Sequence, residues 1–471
     1  MKRSSPGRWQ NRARKAVFVL ALLGTLLALF YAGENWRGAR AWSDQQRADA
    51  ARGESLDRAT FLGPTVSPER RLATLPVFAR WGPYSVDAAT GRAFFAQEPL
   101  VEVFRDMPGA GAKLRPANSP DTARFDLAAW QRYFRGKHPE LPPLDPAREV
   151  LRALEPFGPF LDGLAAAREI RPTGQFRREY SLAHRDGSFA SVGADLRVNF
   201  TLLLRASALL AADRPAEALR DLETACWLRR AMHGQPPLVL PQMVGVALIV
   251  QDLMVVKAGL ESGRWSAGEI ARLQAELEQV DLLADYTRAM RGERAHILAM
   301  LAARPEAGAL PHLTESWKER WIRLAFLAGP QGWMDQNKVR ICEWYQEGPL
   351  RVCDAAAHRV YPERLPPADR LVEIRHFWSL PYRYVAANFV YFLGAQHLVV
   401  AETQAQTDEM VITCALQRYG LAHDGHYPAT LAELTPQFLA RVPSNVFDGT
   451  PPSYRLGPDG RYELAIRRPA R

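Results

Sequence analysis

The chain has 471 residues, of which 47% are apolar and 24% are charged. This composition is typical of a globular protein and excludes wholesale disorder, and the length suggests about two or three domains. The net charge is +9, but six of the 60 basic residues lie in the first fifteen positions, which contain no acid, and the remaining 54 nearly balance the 51 acidic residues. Because the excess is confined to a short tail and no basic stripe alternates with aromatics, the sequence predicts no nucleic-acid partner.

An uncharged apolar stretch occupies residues 16–32. As a helix it spans about 26 Å, which is enough to cross a hydrocarbon layer of about 30 Å. Phe30, Tyr31 and Trp36 lie at its far end, where aromatic side chains favour the headgroup region, and six cations precede it. We therefore predict one transmembrane helix over residues 16–33 that contacts the lipid bilayer, with the N-terminus in the cytoplasm and the bulk of the chain extracytoplasmic.

A cleaved signal peptide and a buried core helix are the two alternatives to this anchor. Signal peptidase prefers small residues at positions −3 and −1, whereas Phe30 and Ala32 stand at the natural exit, and no lipobox cysteine follows. A cationic flank on one side only is unusual for a core helix. The sequence therefore favours an uncleaved signal-anchor.

The rest of the chain is predicted to be mainly helical. Proline and glycine are frequent between residues 61 and 145, and apolar residues recur at helical spacing beyond that segment. The predicted segments are a cytoplasmic basic tail (1–15), the transmembrane helix (16–33), a helical stalk (34–60), a Pro/Gly-rich irregular segment (61–145) with a short helix near Leu127–Arg135, a helical domain (146–400) and a C-terminal module (401–471).

Local signals support the helical domain. Asp145 and Pro146 are typical of an N-cap followed by a first-turn proline, and Ser266 with Glu269 forms a capping-box pattern. Residues 196–232 predict a helical hairpin that turns at ADRP, and the passage ADRPAEALRDLETA resembles the second helix of a tetratricopeptide repeat. No regular 34-residue period is present, so the prediction is limited to solenoid-like helical hairpins.

A very apolar helix is predicted over Pro241–Leu260. It lacks a polar face, which indicates a helix buried at the centre of the domain. A second membrane span is excluded because Gln251, Asp252 and Lys257 would then lie in lipid at a high cost in free energy.

The C-terminal module is predicted to be α+β, with one helix and a small antiparallel sheet. Gly425 ends the helix, and Asp459 with Gly460 between two apolar-polar alternating runs is a strong hairpin signal. In their order these residues resemble the C-terminal part of G-type pseudopilins of type II secretion, which implies the same small fold. The matching positions are Tyr419, Gly425, Tyr427, Pro428, Leu431, Leu434, Pro443, Phe447, Asp448, Gly449, Tyr454, Asp459 and Gly460.

The chain departs from pseudopilins in its N-terminal half. A pseudopilin anchor runs directly into this module, whereas here the anchor lies hundreds of residues upstream, and neither Gly7-Arg8 nor Gly24-Thr25 fits the processing site. The whole arrangement resembles an uncharacterised family of single-pass bacterial envelope proteins. That resemblance implies the bacterial inner membrane and the periplasm, and it implies no particular activity.

The sequence contains no catalytic, P-loop, Rossmann or zinc-protease motif, so we assign no catalytic residue, cofactor or metal. Cys342 and Cys353 flank a turn at Gly348-Pro349 and are candidates for a disulfide. The alternative is that all four cysteines are buried free thiols.

Two weaker metal candidates lie in the C-terminal module. His423, Asp424 and His426 have a spacing that metal ligands use, but they fall where a helix ends. Asp448 and Asp459 offer oxygen ligands of the kind that calcium prefers, without a recognisable ligand loop.

Two further groups of side chains have both a structural and a functional interpretation. The charged residues of one helix either form surface ion pairs or line a polar site; they are Asp285, Arg288, Arg291, Glu293, Arg294 and His296. The tryptophans of residues 310–380 either pack in the core or form a partner-binding face; they are Trp317, Trp321, Trp333, Trp344 and Trp378.

The absence of catalytic motifs favours a non-enzymatic function. We predict a membrane-anchored extracytoplasmic interaction or scaffold protein that binds an envelope protein partner and is linked to a secretion or pilus-like assembly. The alternative is an envelope hydrolase with its site between the helical body and the C-terminal module, which a pocket with converging carboxylates or a Ser–His pair would favour.

Overall fold

The computed structural model describes residues 7–61, 66–78, 85–86, 93–94, 125–175, 187–232, 237–302, 328–366, 380–390 and 396–468. The described chain is mainly helical, as predicted, with a few two-stranded antiparallel pairs. The helices are α1 (Gly7–Ala51), α2 (Leu127–Lys137), α3 (Pro146–Leu154), α4 (Gly158–Ile170), α5 (Gly187–Ala211), α6 (Pro215–Met232), α7 (Val239–Glu261), α8 (Ala267–Glu278), α9 (Leu282–Ala302), α10 (Gln331–Glu347), α11 (Pro349–Val352), α12 (Leu380–Val390) and α13 (Gln396–Ala422). The strands are β1 (Ser85–Val86), β2 (Ala93–Phe94), β3 (Cys353–Asp354), β4 (Arg359–Val360), β5 (Ser453–Leu456) and β6 (Tyr462–Ala465).

The chain forms two compact units, and each is built from segments that are distant in sequence. Unit 1 comprises Met1–Asp57, Arg294–Gly348 and Pro366–Gly394, and unit 2 comprises Arg58–Glu293, Pro349–Leu365 and Ala395–Arg471. The division falls inside α9, so this helix contributes to both units.

In unit 1, α1 is one unbroken helix of 45 residues that contains the predicted transmembrane segment and most of the predicted stalk. No proline lies within it and alanine and leucine are frequent, so nothing interrupts its backbone hydrogen bonds. Beyond its end, Gly53 adopts a φ of 74° and donates its N–H to the carbonyl of Ala50. A glycine in this left-handed conformation is a common helix stop, so the helix ends before the predicted end of the stalk at residue 60.

The exposure of α1 changes at Tyr31. Every described side chain from residue 12 to residue 30 is exposed. Beyond this point, side chains at a spacing of three or four residues are covered, which forms a single stripe along one face; its members include Tyr31, Glu34, Gly38, Ala41, Gln45 and Asp49. The second half of α1 is therefore packed against protein along one face, and the first half is not packed against protein.

Helix α10 covers this stripe and runs beside α1 in the same direction. Asn35 Oδ1 accepts a hydrogen bond from the backbone N–H of Gly332 at 3.0 Å, and further along the ammonium of Lys338 lies 5.5 Å from the ring centroid of Trp42. A Cβ atom on Gly38 would lie only 2.3 Å from the Cα of Gly332. The two glycines therefore allow the helix backbones to touch.

Helix α12 is fixed to α10 by the buried amide of Asn337. Its Nδ2 donates to the carbonyls of Trp333 and Pro381, and its Oδ1 accepts from the N–H of Ala386. Because a buried amide without partners would be costly, the two bonds to Pro381 and Ala386 hold α12 against α10.

In unit 2, α5 and α6 form the predicted helical hairpin. Helix α5 begins at Gly187, before the predicted start at residue 196, and the turn contains Asp213 in a left-handed conformation with a φ of 62°. Helix α7 packs against both α5 and α6, and 61% of its most apolar 18-residue stretch is buried within the protein. Within α7, Asp252 is fully buried and accepts a hydrogen bond from Arg229 at 2.9 Å. The prediction of a buried helix at this position is confirmed.

The predicted helix starts are also confirmed. The Asp145 side chain accepts from the backbone N–H of Arg148 at the start of α3, and Ser266 and Glu269 form a reciprocal capping box at the start of α8. Helices α2, α3 and α5 share an aromatic and aliphatic core, whose buried members are Trp130, Phe134, Val150, Leu154, Phe200, Leu204 and Ala208.

Candidate functional site

The first candidate site is the uncovered half of α1. Its large apolar side chains point outward on all sides, and Phe18 and Leu20 are each 68% exposed. The helix from Arg12 is long and apolar enough to cross a membrane, and none of its most apolar window is buried in the protein. Helix α7 is also long and apolar enough to cross a membrane, but most of its apolar stretch is buried within the protein. Length, composition and exposure together make α1 a candidate membrane anchor.

A buried charge cluster fastens the other end of α1. Arg294 and Asp49 are completely buried, with 3.9 Å between Arg294 Nη1 and Asp49 Oδ1. Arg294 Nη2 donates to Glu54 at 2.7 Å, and Arg52 Nη2 donates to Asp49 at 2.8 Å. Buried charges are costly to separate, so this cluster holds the end of α1 against α9 within unit 1.

The second candidate site is a charged cleft in unit 2 with a volume of about 440 Å³. Helices α3, α4, α5 and α6 and the loops beside them line it with four arginines, four acids and a few small or aliphatic residues. The lining consists of Leu151, Arg152, Leu154, Glu155, Gly158, Asp162, Arg205, Leu209, Arg214, Glu217, Arg220 and Asp221. The four arginines and four acids balance, so the cleft offers hydrogen-bonding groups of both signs and carries no net formal charge.

Two layers of ion pairs form the cleft. At its base, Arg205 binds the buried Asp221 through two hydrogen bonds of 2.6 Å, and burial raises the pKa of Asp221 above its usual range although Arg205 opposes this. At its mouth, Asp162 accepts from Arg220 at 2.6 Å, and this pair is about half exposed. Exposed pairs contribute only about 0–1 kcal/mol each, so charges from a partner can exchange with them at low cost.

A third polar group joins the β3–β4 hairpin to α13. His358, which has a φ of 51°, places Nε2 2.8 Å from Asp408 Oδ2. The other oxygen of Asp408 accepts from Gln404 at 2.9 Å, and Gln404 also accepts from the N–H of Leu282. The hydrogen bond to Asp408 raises the pKa of His358 above its usual range. This chain of hydrogen bonds joins the β3–β4 hairpin, α13 and the start of α9.

The first of the predicted motif residues of the C-terminal module lie where α13 ends. The ring of Tyr419 stacks on His423 with centroids 3.9 Å apart, and Gly425, with a φ of 88°, donates its N–H to the carbonyl of Gly420 at 2.8 Å. A Cβ atom on Gly420 would lie 3.2 Å from the Tyr427 ring. These residues therefore close the helix and turn the chain back along it.

The next motif residues supply a small core. Leu431 and Leu434 are buried in a single 3₁₀ turn, and Pro443 is half-buried. The hydroxyl of Tyr454 donates to the carbonyl of Pro428 at 2.7 Å, which fixes the β5–β6 hairpin to the loop after the helix. The structural role of these positions is packing.

The Phe447–Gly449 motif lies in a loop that is closed by its own side chains. Asn445 Oδ1 accepts from the N–H of Phe447, and Gly449, with a φ of 76°, donates to the Asn445 carbonyl. One oxygen of Asp448 accepts both the N–H and the hydroxyl of Thr450, which lowers the pKa of Asp448. This carboxylate is therefore engaged in shaping the loop.

The predicted hairpin at Asp459 and Gly460 is confirmed. Strands β5 and β6 pair antiparallel from Ser453 opposite Ala465, Gly460 has a φ of 76°, and Asp459 accepts from the N–H of Arg461 at 3.1 Å. The sequence pattern found this turn because both residue types favour it locally.

The metal candidates are not assembled into a site. His423 Nδ1 and His426 Nδ1 lie 2.8 Å and 3.0 Å from backbone carbonyls at the end of α13. Within the part of the chain that the structure describes, no three His, Cys, Asp or Glu side chains are grouped to hold a metal. The two histidines cap the helix end, where hydrogen-bond donors are favoured.

The cysteines are buried free thiols. The candidate bridge between Cys342 and Cys353 is not formed, and burial raises the pKa of each of these thiols to about 12. The alternative prediction, in which the thiols act as small apolar core residues, describes the structure.

The charged helix and the tryptophans have mixed outcomes. Arg288 pairs with Asp285 at the surface, and Glu293 is half-buried and accepts from the N–H of Val239. Arg294 is buried in the cluster above, so the surface interpretation is wrong for this residue. Of the described tryptophans of that segment, Trp344 is buried inside unit 1 and Trp333 is half-buried at the start of α10. The remaining ones of that segment, Trp317, Trp321 and Trp378, lie outside the described residues.

No protein-family model, no curated protein and no solved structure matches the chain.

Proposed function

We propose that this protein is a single-pass membrane protein whose two folded units form an extracytoplasmic interaction module in a bacterial envelope. In this proposal α1 holds the protein in the inner membrane, the basic N-terminal tail stays in the cytoplasm, and an envelope protein binds the charged cleft of unit 2.

The observation that carries the proposal is the abrupt change in exposure along α1. The predicted span is uncovered, and coverage by unit 1 begins at Tyr31, where the apolar stretch ends. An apolar surface of this size is unfavourable in water, and a lipid core would bury it.

The charged cleft supports an interaction role. The ion pairs at the mouth of the cleft are exposed and weak. The ion pair between Arg205 and Asp221 at the bottom of the cleft is buried and held by two short hydrogen bonds. A rigid base below exchangeable charges suits a polar partner with charges of both signs, such as a protein segment.

The C-terminal module supports a link to a secretion or pilus-like assembly. Its order of a long helix, a closed loop and a terminal hairpin is the order that the resemblance to G-type pseudopilins implies. That resemblance rests on sequence, and it makes components of such assemblies the first partners to test.

Membrane insertion is tested with Leu23→Arg in the full-length chain. An arginine at the centre of a span costs about 2.5–3.5 kcal/mol on insertion scales, so we expect the variant to leave the alkaline-resistant membrane fraction. Gln46→Arg, on the exposed side of the covered half of α1, is the matched control and should remain in the membrane. Protease added to spheroplasts should digest the two folded units of the wild-type protein. Protection of these units from the protease would refute the topology.

Partner binding is tested with a photo-crosslinking residue at Glu155, an exposed position in the cleft, and at Ile170, an exposed position at the end of α4. We expect a discrete envelope-protein adduct from position 155 alone, lost in Arg214→Glu and kept in the surface variant Arg148→Glu. Equal labelling from both positions, or an adduct that survives Arg214→Glu, would refute the assignment of the cleft.

A further inference from the structure

The first turns of α10 and α12 lie at the same level as the end of the uncovered half of α1. The ring centroids of Phe30 and Trp333 are 6.3 Å apart, and those of Trp333 and Tyr382 are 6.4 Å apart. The Tyr31 hydroxyl also donates to the carbonyl of Ala328, just before α10. Three helices from distant parts of the sequence thus place their aromatic residues beside residues 30–37 of α1.

We propose that unit 1 rests directly on the outer surface of the bilayer, with the starts of α10 and α12 immersed in the lipid headgroup layer. This inference rests on the proposed function, because residues 30–37 reach the headgroup level only if α1 spans the membrane. Aromatic side chains that carry a polar atom are favoured at this level, and the aromatic group is continuous with the uncovered apolar surface below it.

The charges at this level suit lipid phosphates. The exposed Arg40 lies over the exposed ring of Trp36 at 5.6 Å, and Arg37 lies over Tyr382 at 4.8 Å while it pairs with Glu34. Helix α10, with 17 residues, also begins here, and the start of a helix carries partial positive charge. Cations near an anionic membrane surface are attracted by about 1 kcal/mol each.

The result is a protein surface with two lipid contacts of different kinds. The hydrocarbon core surrounds α1, and the headgroup layer touches the first turns of α10 and α12. Because the helices are fixed to one another through Asn337 and through the contact of Gly38 with Gly332, unit 1 has a defined orientation on the membrane.

The test uses spin labels on single introduced cysteines in the full chain, in vesicles of phosphatidylethanolamine and phosphatidylglycerol. Gln331→Cys reports on the start of α10, and Gln46→Cys, also an exposed glutamine, reports on α1 further from the span. Leu23→Cys reports on the span itself. The four native thiols are buried, and labelled wild type gives their background.

The measured quantity is the collision rate of each label with molecular oxygen and with a water-soluble nickel chelate. We expect the nickel collision rate at position 331 to be about threefold or more below that at position 46, because the headgroup layer partly excludes the chelate. Equal rates at these two positions, with position 23 in lipid, would overturn the inference and leave the anchor intact. A water-exposed label at position 23 would overturn the proposed function itself.

Discussion

The contact between Gly38 and Gly332 can be tested by adding one methyl group. A Cβ atom on Gly38 would lie 2.3 Å from the Cα and 2.4 Å from the carbonyl oxygen of Gly332, far inside the 3.0 Å that real Cβ atoms respect. Both obstacles are backbone atoms, so no side chain can rotate away and α1 must separate from α10. We therefore expect Gly38→Ala to loosen unit 1.

Gly33 provides the matched control because it lies in the same helix with nothing within 4 Å of an added Cβ. Both substitutions gain the helix propensity of alanine, which is worth about 0.5–1 kcal/mol, but only Gly38→Ala adds the cost of overpacking, about 1–3 kcal/mol. The difference between the two variants isolates the contact. The overpacking cost of about 1–3 kcal/mol corresponds, at about 1.4 kcal/mol for each factor of ten, to about a 5- to 150-fold change in the equilibrium between the closed and the opened form of unit 1.

Cys342 reports this opening because it is fully buried in unit 1 near Asp49. The assay is pulsed alkylation of the folded, full-length protein followed by mass spectrometry of each cysteine peptide. We expect Gly38→Ala to accelerate alkylation of Cys342 and to leave Cys226 in unit 2 unchanged. The same Cys342 rate in Gly38→Ala and Gly33→Ala, within about twofold, would refute the close helix contact.

Three further predictions concern single polar contacts. Arg294→Met should destabilise unit 1 by about 3–5 kcal/mol, measured by denaturant unfolding, because it removes the cation that Glu54 bonds and leaves the buried Asp49 with Arg52 alone. The pKa of His358 is raised in the folded state, so its pairing with Asp408 stabilises the fold at pH values below the unfolded-state pKa, and this stabilisation is lost as the pH rises through the folded-state pKa. The difference in stability between wild type and His358→Asn should therefore shrink from pH 5 to pH 9. A difference that stays constant over this range would contradict the prediction. Tyr454→Phe should cost about 0.5–1.5 kcal/mol and increase amide exchange in the terminal hairpin, and unchanged exchange would contradict the bond.

Features that depend on neighbouring residues were predictable from the sequence. The capping box at Ser266, the proline-led start at Pro146 and the hairpin at Asp459-Gly460 are each specified within a few positions. The charged residues of α7 favoured a buried helix over a second span for a local reason as well, because Asp252 would be costly in lipid. Each of these signals depends only on residues that are close together in the chain, so a single sequence is enough to recognise it.

Features that depend on distant residues were not predictable. Asn35 and Gly332 bond across 297 positions, and Gly332 stands in a PQGW passage that suggests only a turn. Arg294 was one of several charges on a polar helix, and nothing local distinguished it from its exposed neighbour Arg288. His358 lies in a short hairpin whose partner on α13 is 50 residues away. A single sequence does not reveal such pairs, because their cause is the packing of whole helices.

The two halves of α1 show how one helix can satisfy two environments. From residue 16 to residue 30 its side chains are uncharged and almost all apolar around the whole circumference, as a hydrocarbon solvent requires. Beyond Tyr31 the protein covers one stripe of the helix. That stripe contains Gly38, which fits a close helix contact, and Asp49, which would be unfavourable in lipid and lies in a buried charge cluster. The change in residue type and the change in coverage occur within one helical turn of each other. Since the helix is continuous, a displacement of its first half would also displace unit 1. In the proposed topology, the level of unit 1 above the membrane therefore follows from where the apolar stretch ends.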